Sequence, residues 1–153
     1  MTSEYVKKNK KENKTAFDFF GSSEYRKNKN ELYKILQEAD IDGVRKLDNL
    51  ALFFDPKYLS RILFFNFIYN KILDVPGYIL ELGCQYGSTA ALLQSLRDIY
   101  EPFNRTRKIF AFDTFKGLKG VTNKDLNLSH GDFKTVANYE ILLDKILNIK
   151  ENF

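Results

Sequence analysis

The residues best suited to chemistry in this chain stand together as Glu81-Leu82-Gly83-Cys84-Gln85-Tyr86-Gly87-Ser88, with a further acid at Asp113. Gly83 permits a sharp turn out of a strand. Gly87 lets the backbone approach a ligand and lets a helix begin close to a sheet. A helix starting at Ser88 turns its free N–H groups toward an anionic group in the adjoining crevice. Spacing alone leaves a second reading open, in which both glycines serve only tight packing. Asp113 adds weight to the ligand reading, because its carboxylate can accept two hydrogen bonds from a ribose diol. It follows the Gly loop at about the interval of dinucleotide-binding folds. The competing reading makes Asp113 the cap of the turn it begins with Thr114, as Asx residues often are.

These residues need elements to hold them. Tyr78 to Leu82 reads as a strand, Ser88 to Tyr100 as a helix with Ala90, Leu92, Leu93, Leu96 and Ile99, and Lys108 to Phe112 as a second strand. Strand, helix and strand in that order make a βαβ unit and imply a parallel sheet, with Asp113 and the Gly loop at one carboxyl edge. A short third strand is expected near Leu126 to Ser129 and a closing helix from Phe133 to Lys150. Ordered 3-2-1, such a sheet leaves strand 1 at an edge although its sequence, YILEL, suits a central strand.

Upstream, Ser22 or Ser23 can cap a helix running to about Gln37, with Leu32, Ile35 and Leu36 on one face, and Asp42-Gly43 breaks it. Residues 44–54 read as a second short helix whose Leu47, Leu50, Leu52 and Phe53 pack inward. The stretch YLSRILFFNFIYNKIL, Tyr58 to Leu73, reads as a mostly buried helix with Asp55 as N-cap and Pro56 in its first turn. It is shorter than the roughly 20 apolar residues a bilayer needs and carries Arg61 and Lys71. The expected organisation is a disordered basic tail over 1–15, a helical cap over 16–75 and a βαβ core over 77–153.

The chain has 153 residues, 44% of them hydrophobic, which suits one domain. Its net charge of +4 owes much to Lys7, Lys8, Lys10, Lys11 and Lys14. That tail lacks interleaved aromatics, so a solubilising terminus is expected and neither nucleic acid nor membrane as a partner. One cysteine, Cys84, and one histidine, His130, exclude an internal disulfide framework and argue against zinc. No apolar run follows the early lysines as in a signal peptide, and a cytoplasmic protein is expected.

Pyrophosphate cofactors favour Gly-x-Gly-x-x-Gly, whereas the middle glycine position here is Gln85, with Tyr86 beside it. Such a loop, with Glu81 available to an ammonium, suits the amino-carboxypropyl arm of S-adenosyl-L-methionine better than a diphosphate. GYILELGCQYGSTAALL followed by IFAFDTFKGLKG resembles motifs I and II of class I methyltransferases. With Gly131-Asp132-Phe133, the combination is similar to the macrocin O-methyltransferase family, which methylates sugar hydroxyls. The resemblance covers about residues 57–150 and implies a Rossmann-like α/β fold and S-adenosyl-L-methionine as cofactor. It implies that Glu81, Gly83 and Gly87 surround the methionine part, with Gln85, Tyr86 and Ser88 as lining residues. It also implies that Asp113 holds the ribose, Thr114 and Phe115 flank the adenosine, and Asp132 with Phe133 meets the adenine.

That family continues into an aspartate-rich stretch that binds a divalent metal and positions the acceptor, and no such stretch is present in these 153 residues. The expectation is therefore a cofactor-binding portion of an O-methyltransferase with a small-molecule acceptor, a sugar by resemblance, in a truncated product. A half-enzyme completed by another chain, a homo-oligomer, a non-catalytic Rossmann-type module and an NAD(P)-binding dehydrogenase fragment remain alternatives. No catalytic residue is assigned, His130 included.

Overall fold

The computed structural model describes residues 22–104, 106–122, 124–125 and 128–150, so the expected basic tail and the first residues of the cap lie outside the described residues. The elements in chain order are α1 (Ser23–Glu38), α2 (Gly43–Asp48), a 3-10 turn (Leu50–Phe53), α3 (Pro56–Lys71), β1 (Ile79–Leu82), α4 (Ser88–Tyr100), β2 (Ile109–Phe112) and α5 (Tyr139–Lys150).

Local chemistry starts the first three helices. The Ser22 hydroxyl accepts from Tyr25 N–H at 3.1 Å, Asp42 accepts from Arg45 N–H at 3.0 Å, and Asp55 accepts from Tyr58 N–H at 2.8 Å. Each side chain satisfies a donor that the helix itself cannot. Asp42-Gly43 therefore opens a helix as well as ending the segment before it.

β1 and β2 are parallel, in register from Ile79 opposite Ile109 to Leu82 opposite Phe112. The core lies on one face of this pair. Tyr69 of α3 and Leu93 and Leu96 of α4 are buried together, with Ile79 and Ile109 packed against them from the strands. α5 lies on α4, where Gln94 Nε2 donates to Leu147 O at 3.3 Å and Lys150 Nζ to Ser95 Oγ at 2.9 Å.

Several expectations change. α3 is not mostly buried: Tyr69 is fully buried, but Leu63, Phe64 and Phe67 are exposed. An all-round apolar sequence leaves its covered side to tertiary packing, and packing claims one side. Of the residues expected to point inward between 44 and 54, only Phe53 is buried, while Leu47, Leu50 and Leu52 are exposed. No third strand forms among the described residues. Residues 126–127 lie outside them, and Leu128 and Ser129 are irregular. At Ser129 an aspartate spends a donor a ladder would need: its N–H bonds to the Asp132 carboxylate at 2.8 Å. The last helix begins at Tyr139 instead of Phe133, because Phe133 and Asn138 take positive φ of 65° and 58°, which breaks a right-handed helix.

Candidate functional site

The Gly loop leaves β1 at the carboxyl edge of the sheet, and β2 ends beside it. Phe112 O accepts from both Gly83 N–H at 2.8 Å and Cys84 N–H at 3.2 Å, tying the loop's first turn to the neighbouring strand. Asp113 completes the tie. Its Oδ2 accepts from Gln85 N–H at 2.8 Å and its Oδ1 from Phe115 N–H at 2.7 Å. The turn-capping reading of Asp113 is thus realised, and each oxygen keeps lone-pair capacity for a further donor.

Backbone strain gathers here. Gln85, Phe115 and Phe133 hold positive φ of 49°, 56° and 65° without being glycine, a condition that costs energy and clusters where structure serves function. Gln85 Nε2 reaches Phe133 O at 3.4 Å, linking two of the three.

The two glycines differ. At Gly83, φ +86°, no atom lies within 4 Å of where a Cβ would stand, and the residue lines the cavity described below. At Gly87, φ +70°, a Cβ would fall 2.3 Å from Leu143 Cδ1 of α5. Among the described residues, the close approach that Gly87 permits is to Leu143 of α5.

A cleft of about 990 Å³ opens over this edge. Glu81, Gly83, Gln85, Tyr86, Ser88, Asp113, Thr114 and Phe133 all line it. Gly87, Phe115 and Asp132 do not. Asp132 accepts from Ser129 N–H through its side chain and from Leu118 N–H, 2.9 Å, through its carbonyl, so it shapes the loop behind the cleft. His130 sits exposed in that loop and does not line the cleft.

Glu81 Oε2 is buried with no hydrogen-bond partner among the described residues. Burial pushes the Glu81 carboxyl up from its ordinary value, against the pull of Thr89, Arg61 and the Ala90 N–H, while the Asp113 charge adds to the rise. Arg61 of α3 donates to Thr89 Oγ1, linking α3 to the first turn of α4 at this point. Burial also pushes the Cys84 thiol up, helped by the charges of Glu81 and Asp113, which disfavours its thiolate.

The opposite wall comes from residues that the sequence reading did not select. Tyr25, Lys29 and Tyr33 of α1 and Lys57, Tyr58 and Arg61 of α3 line the cleft. Their signal was the four-residue spacing of Tyr25, Lys29 and Tyr33, which puts all three on one helix face. Tyr25 Oη donates to Asp55 Oδ2 at 2.9 Å and so docks α1 against the start of α3. Among the described residues no cluster of three His, Cys, Asp or Glu side chains is arranged to hold a metal ion, and no helix is long and apolar enough to cross a membrane.

No family model and no curated protein matches the chain. Solved structures do. The crystal structure of CalS11, a calicheamicin methyltransferase, superposes with a TM-score of 0.78 at 31% identity, over 85% of this chain and 52% of that one. An apo structure of CalS11, there described as a TDP-rhamnose 3'-O-methyltransferase of calicheamicin biosynthesis, gives 0.70 at 29% identity, over 86% and 49%. The chain spans about half the length of these structures. Its fold is the Rossmann-like α/β fold of such methyltransferases, a small parallel sheet with a helical N-terminal part.

Proposed function

We propose that this chain binds S-adenosyl-L-methionine at the Gly83 and Asp113 edge of the cleft and serves O-methyl transfer to a small-molecule hydroxyl, a sugar in the first instance. The observation that carries the reading is the buried, unpartnered Glu81 Oε2 beside a Gly83 whose Cβ position is open space. An unsatisfied buried carboxylate oxygen is costly unless a donor arrives, and the ammonium of an aminocarboxypropyl arm is such a donor. The residues present therefore fit the cofactor. When bound, it supplies an electrophilic methyl group for in-line displacement by the acceptor hydroxyl.

The chain's own residues would bind and orient. Glu81 takes the ammonium, Asp113 receives the ribose hydroxyls on lone pairs its backbone donors leave over, and Thr114 and Phe133 border the adenosine. The likeness to structures named as sugar O-methyltransferases supports a sugar acceptor, while the narrower macrocin-type assignment rests on the Glu81 to Ser88, Phe112 to Leu118 and Gly131 to Phe133 motifs.

Calorimetry tests the reading. S-adenosylhomocysteine should bind the wild-type chain, and Asp113→Asn should weaken it by about 1.5–3 kcal/mol, the range for hydrogen bonds to a charged group. Asparagine retains an acceptor for one backbone donor, so an unchanged melting temperature would separate lost binding from lost structure. One observation favours a second reading: both Asp113 oxygens already hold backbone N–H groups. If no S-adenosyl compound binds, the acid is a structural tie and the chain is a non-catalytic module. Binding of NAD instead would restore the dehydrogenase alternative.

A further inference from the structure

Glu81, the acid assigned to the ammonium of the methyl donor, is reached through a hydroxyl that it shares with Arg61. Arg61 of α3 donates to Thr89 Oγ1 in the first turn of α4. The Thr89 hydroxyl and the Ala90 N–H in turn act on the Glu81 carboxyl as donors. A guanidinium can only donate, whereas a hydroxyl carries one proton and two lone pairs. With Arg61 on a lone pair, the Thr89 proton is left for another acceptor, and Glu81 is the acceptor beside it. Thr89 is 4% exposed, so solvent competes little for that proton.

The charges around Glu81 come from different elements. Arg61 acts on it from α3, Asp113 repels it from just beyond β2, and Cys84 stands close in the loop that follows it. Lys29 of α1, Lys57 of α3 and Lys119 beyond β2 line the same cleft, so cations stand on several of its walls. Arg61 is held on two sides, its guanidinium carbon 5.7 Å from the centre of the Phe65 ring while Nη2 meets Thr89. A planar guanidinium so placed keeps its direction better than an ammonium on a flexible stem.

We propose that Arg61 is a positioning residue for the methyl donor: it turns the Thr89 hydroxyl onto Glu81 and balances the charge of that carboxylate, which presents Glu81 Oε2 to the donor's ammonium. This rests on the reading that the Gly83 and Asp113 edge binds an S-adenosyl compound. Oε2 is the oxygen that is buried and without a hydrogen-bond partner among the described residues. The guanidinium lowers the cost of keeping a buried carboxylate ionised, and the ordered hydroxyl fixes which way that carboxylate faces. Interposing a neutral hydroxyl also keeps one cation off the oxygen that a second cation needs.

NMR of the carboxyl carbons in the ligand-free full chain, with Glu81→Gln to assign the Glu81 signal, reads its titration midpoint. Arg61→Gln and Thr89→Val should each move that midpoint to higher pH, and Arg61→Lys and Thr89→Ser should restore most of it. Calorimetry at neutral pH then compares S-adenosylhomocysteine with methylthioadenosine, which has the adenosine and the sulfur but no ammonium. Arg61→Gln and Thr89→Val should each weaken S-adenosylhomocysteine by about tenfold, as for loss of a charge-assisted hydrogen bond. Methylthioadenosine should change by less than about twofold in either variant. A Glu81 midpoint unmoved by both substitutions overturns the proposal, and so does a parallel loss of the two ligands, which a merely structural role would produce. A loss confined to Arg61→Gln, with Thr89→Val binding like the wild type, would place Arg61 on the cofactor's carboxylate and overturn its action through Thr89. Midpoints that move as expected in a chain that binds neither ligand would sustain the coupling of Arg61, Thr89 and Glu81 and overturn the methyl-donor reading.

Discussion

At the scale of single residues, Glu81 and Gly87 make opposite commitments. A carboxyl raised by burial is charged only at a cost, so the apo protein bears that cost in the pH range where Glu81 is ionised. Glu81→Gln should leave the apo melting temperature equal or higher while weakening S-adenosylhomocysteine. The wild-type affinity should be full above the raised Glu81 pKa and fall as pH drops through it, at a pH higher than an ordinary carboxylate would give, and the Gln variant should lack that limb. Gly87 commits to packing. A methyl group placed 2.3 Å from Leu143 Cδ1 on a residue with φ +70° should cost Gly87→Ala about 1–3 kcal/mol in urea unfolding. Combining it with Leu143→Ala should recover part of that cost, and strictly additive losses would show that the clash is not its source.

At the scale of elements, the end of the sheet away from the cleft is closed by a buried polar knot. Glu101 Oε2 accepts from Tyr69 Oη at 2.7 Å and from Arg107 Nε at 2.6 Å, while Arg107 Nη2 donates to Ile72 O and Val75 O at 2.9 Å each. α3, the end of α4 and the approach to β2 are thereby fastened at one point. Burial pushes the Glu101 carboxyl up, but the hydrogen bonds from Tyr69, Arg107 and Asn104 and the Arg107 charge outweigh it and hold the group below the ordinary range. Its stabilisation is therefore full above the unfolded-chain value of about 4.3 and is lost as pH falls through the lower folded value. Glu101→Gln should flatten the acid limb of stability, and Arg107→Ala should cost about 3–5 kcal/mol at neutral pH by leaving a buried carboxylate unpaired. Helix starts were legible in the sequence because capping is local: Ser22 and Asp55 with Pro56 each act within one turn. The parallel strands and the Gly83 and Asp113 edge were legible from element order. The knot was not, since Tyr69, Glu101 and Arg107 are brought together only by folding. Nor was the helical wall of the cleft, because lysine and tyrosine four apart on a helix read as an ordinary solvated face. The break before Tyr139 escaped because apolar spacing alone reads as one helix from Phe133 and does not show the positive φ of Phe133 and Asn138.

At the scale of the molecule, the sheet has, among the described residues, one covered face and one bare one. Leu80 and Leu82 are 61% and 80% exposed, and Phe110 and Phe112 stand opposite them in register on the same face. At roughly 25 cal/mol per Å² of apolar surface removed from water, contact over this face is favourable for another copy of the chain. Light scattering should show concentration-dependent association, and Leu80→Thr with Phe110→Thr, which place a polar β-branched strand former at each position, should reduce it without lowering the melting temperature. The embrace of the Gly loop by α5 has a different outcome. Leu143 occupies the space Gly87 leaves, Tyr139 Oη donates to Tyr86 O at 3.0 Å, and the Tyr86 and Tyr139 rings meet edge to face at 4.8 Å. These contacts tie the seating of the last helix to the order of the Gly loop, so a ligand that binds the ordered loop more tightly should steady both. Filling the cleft should slow amide hydrogen exchange along 139–150, in a helix whose residues do not line it.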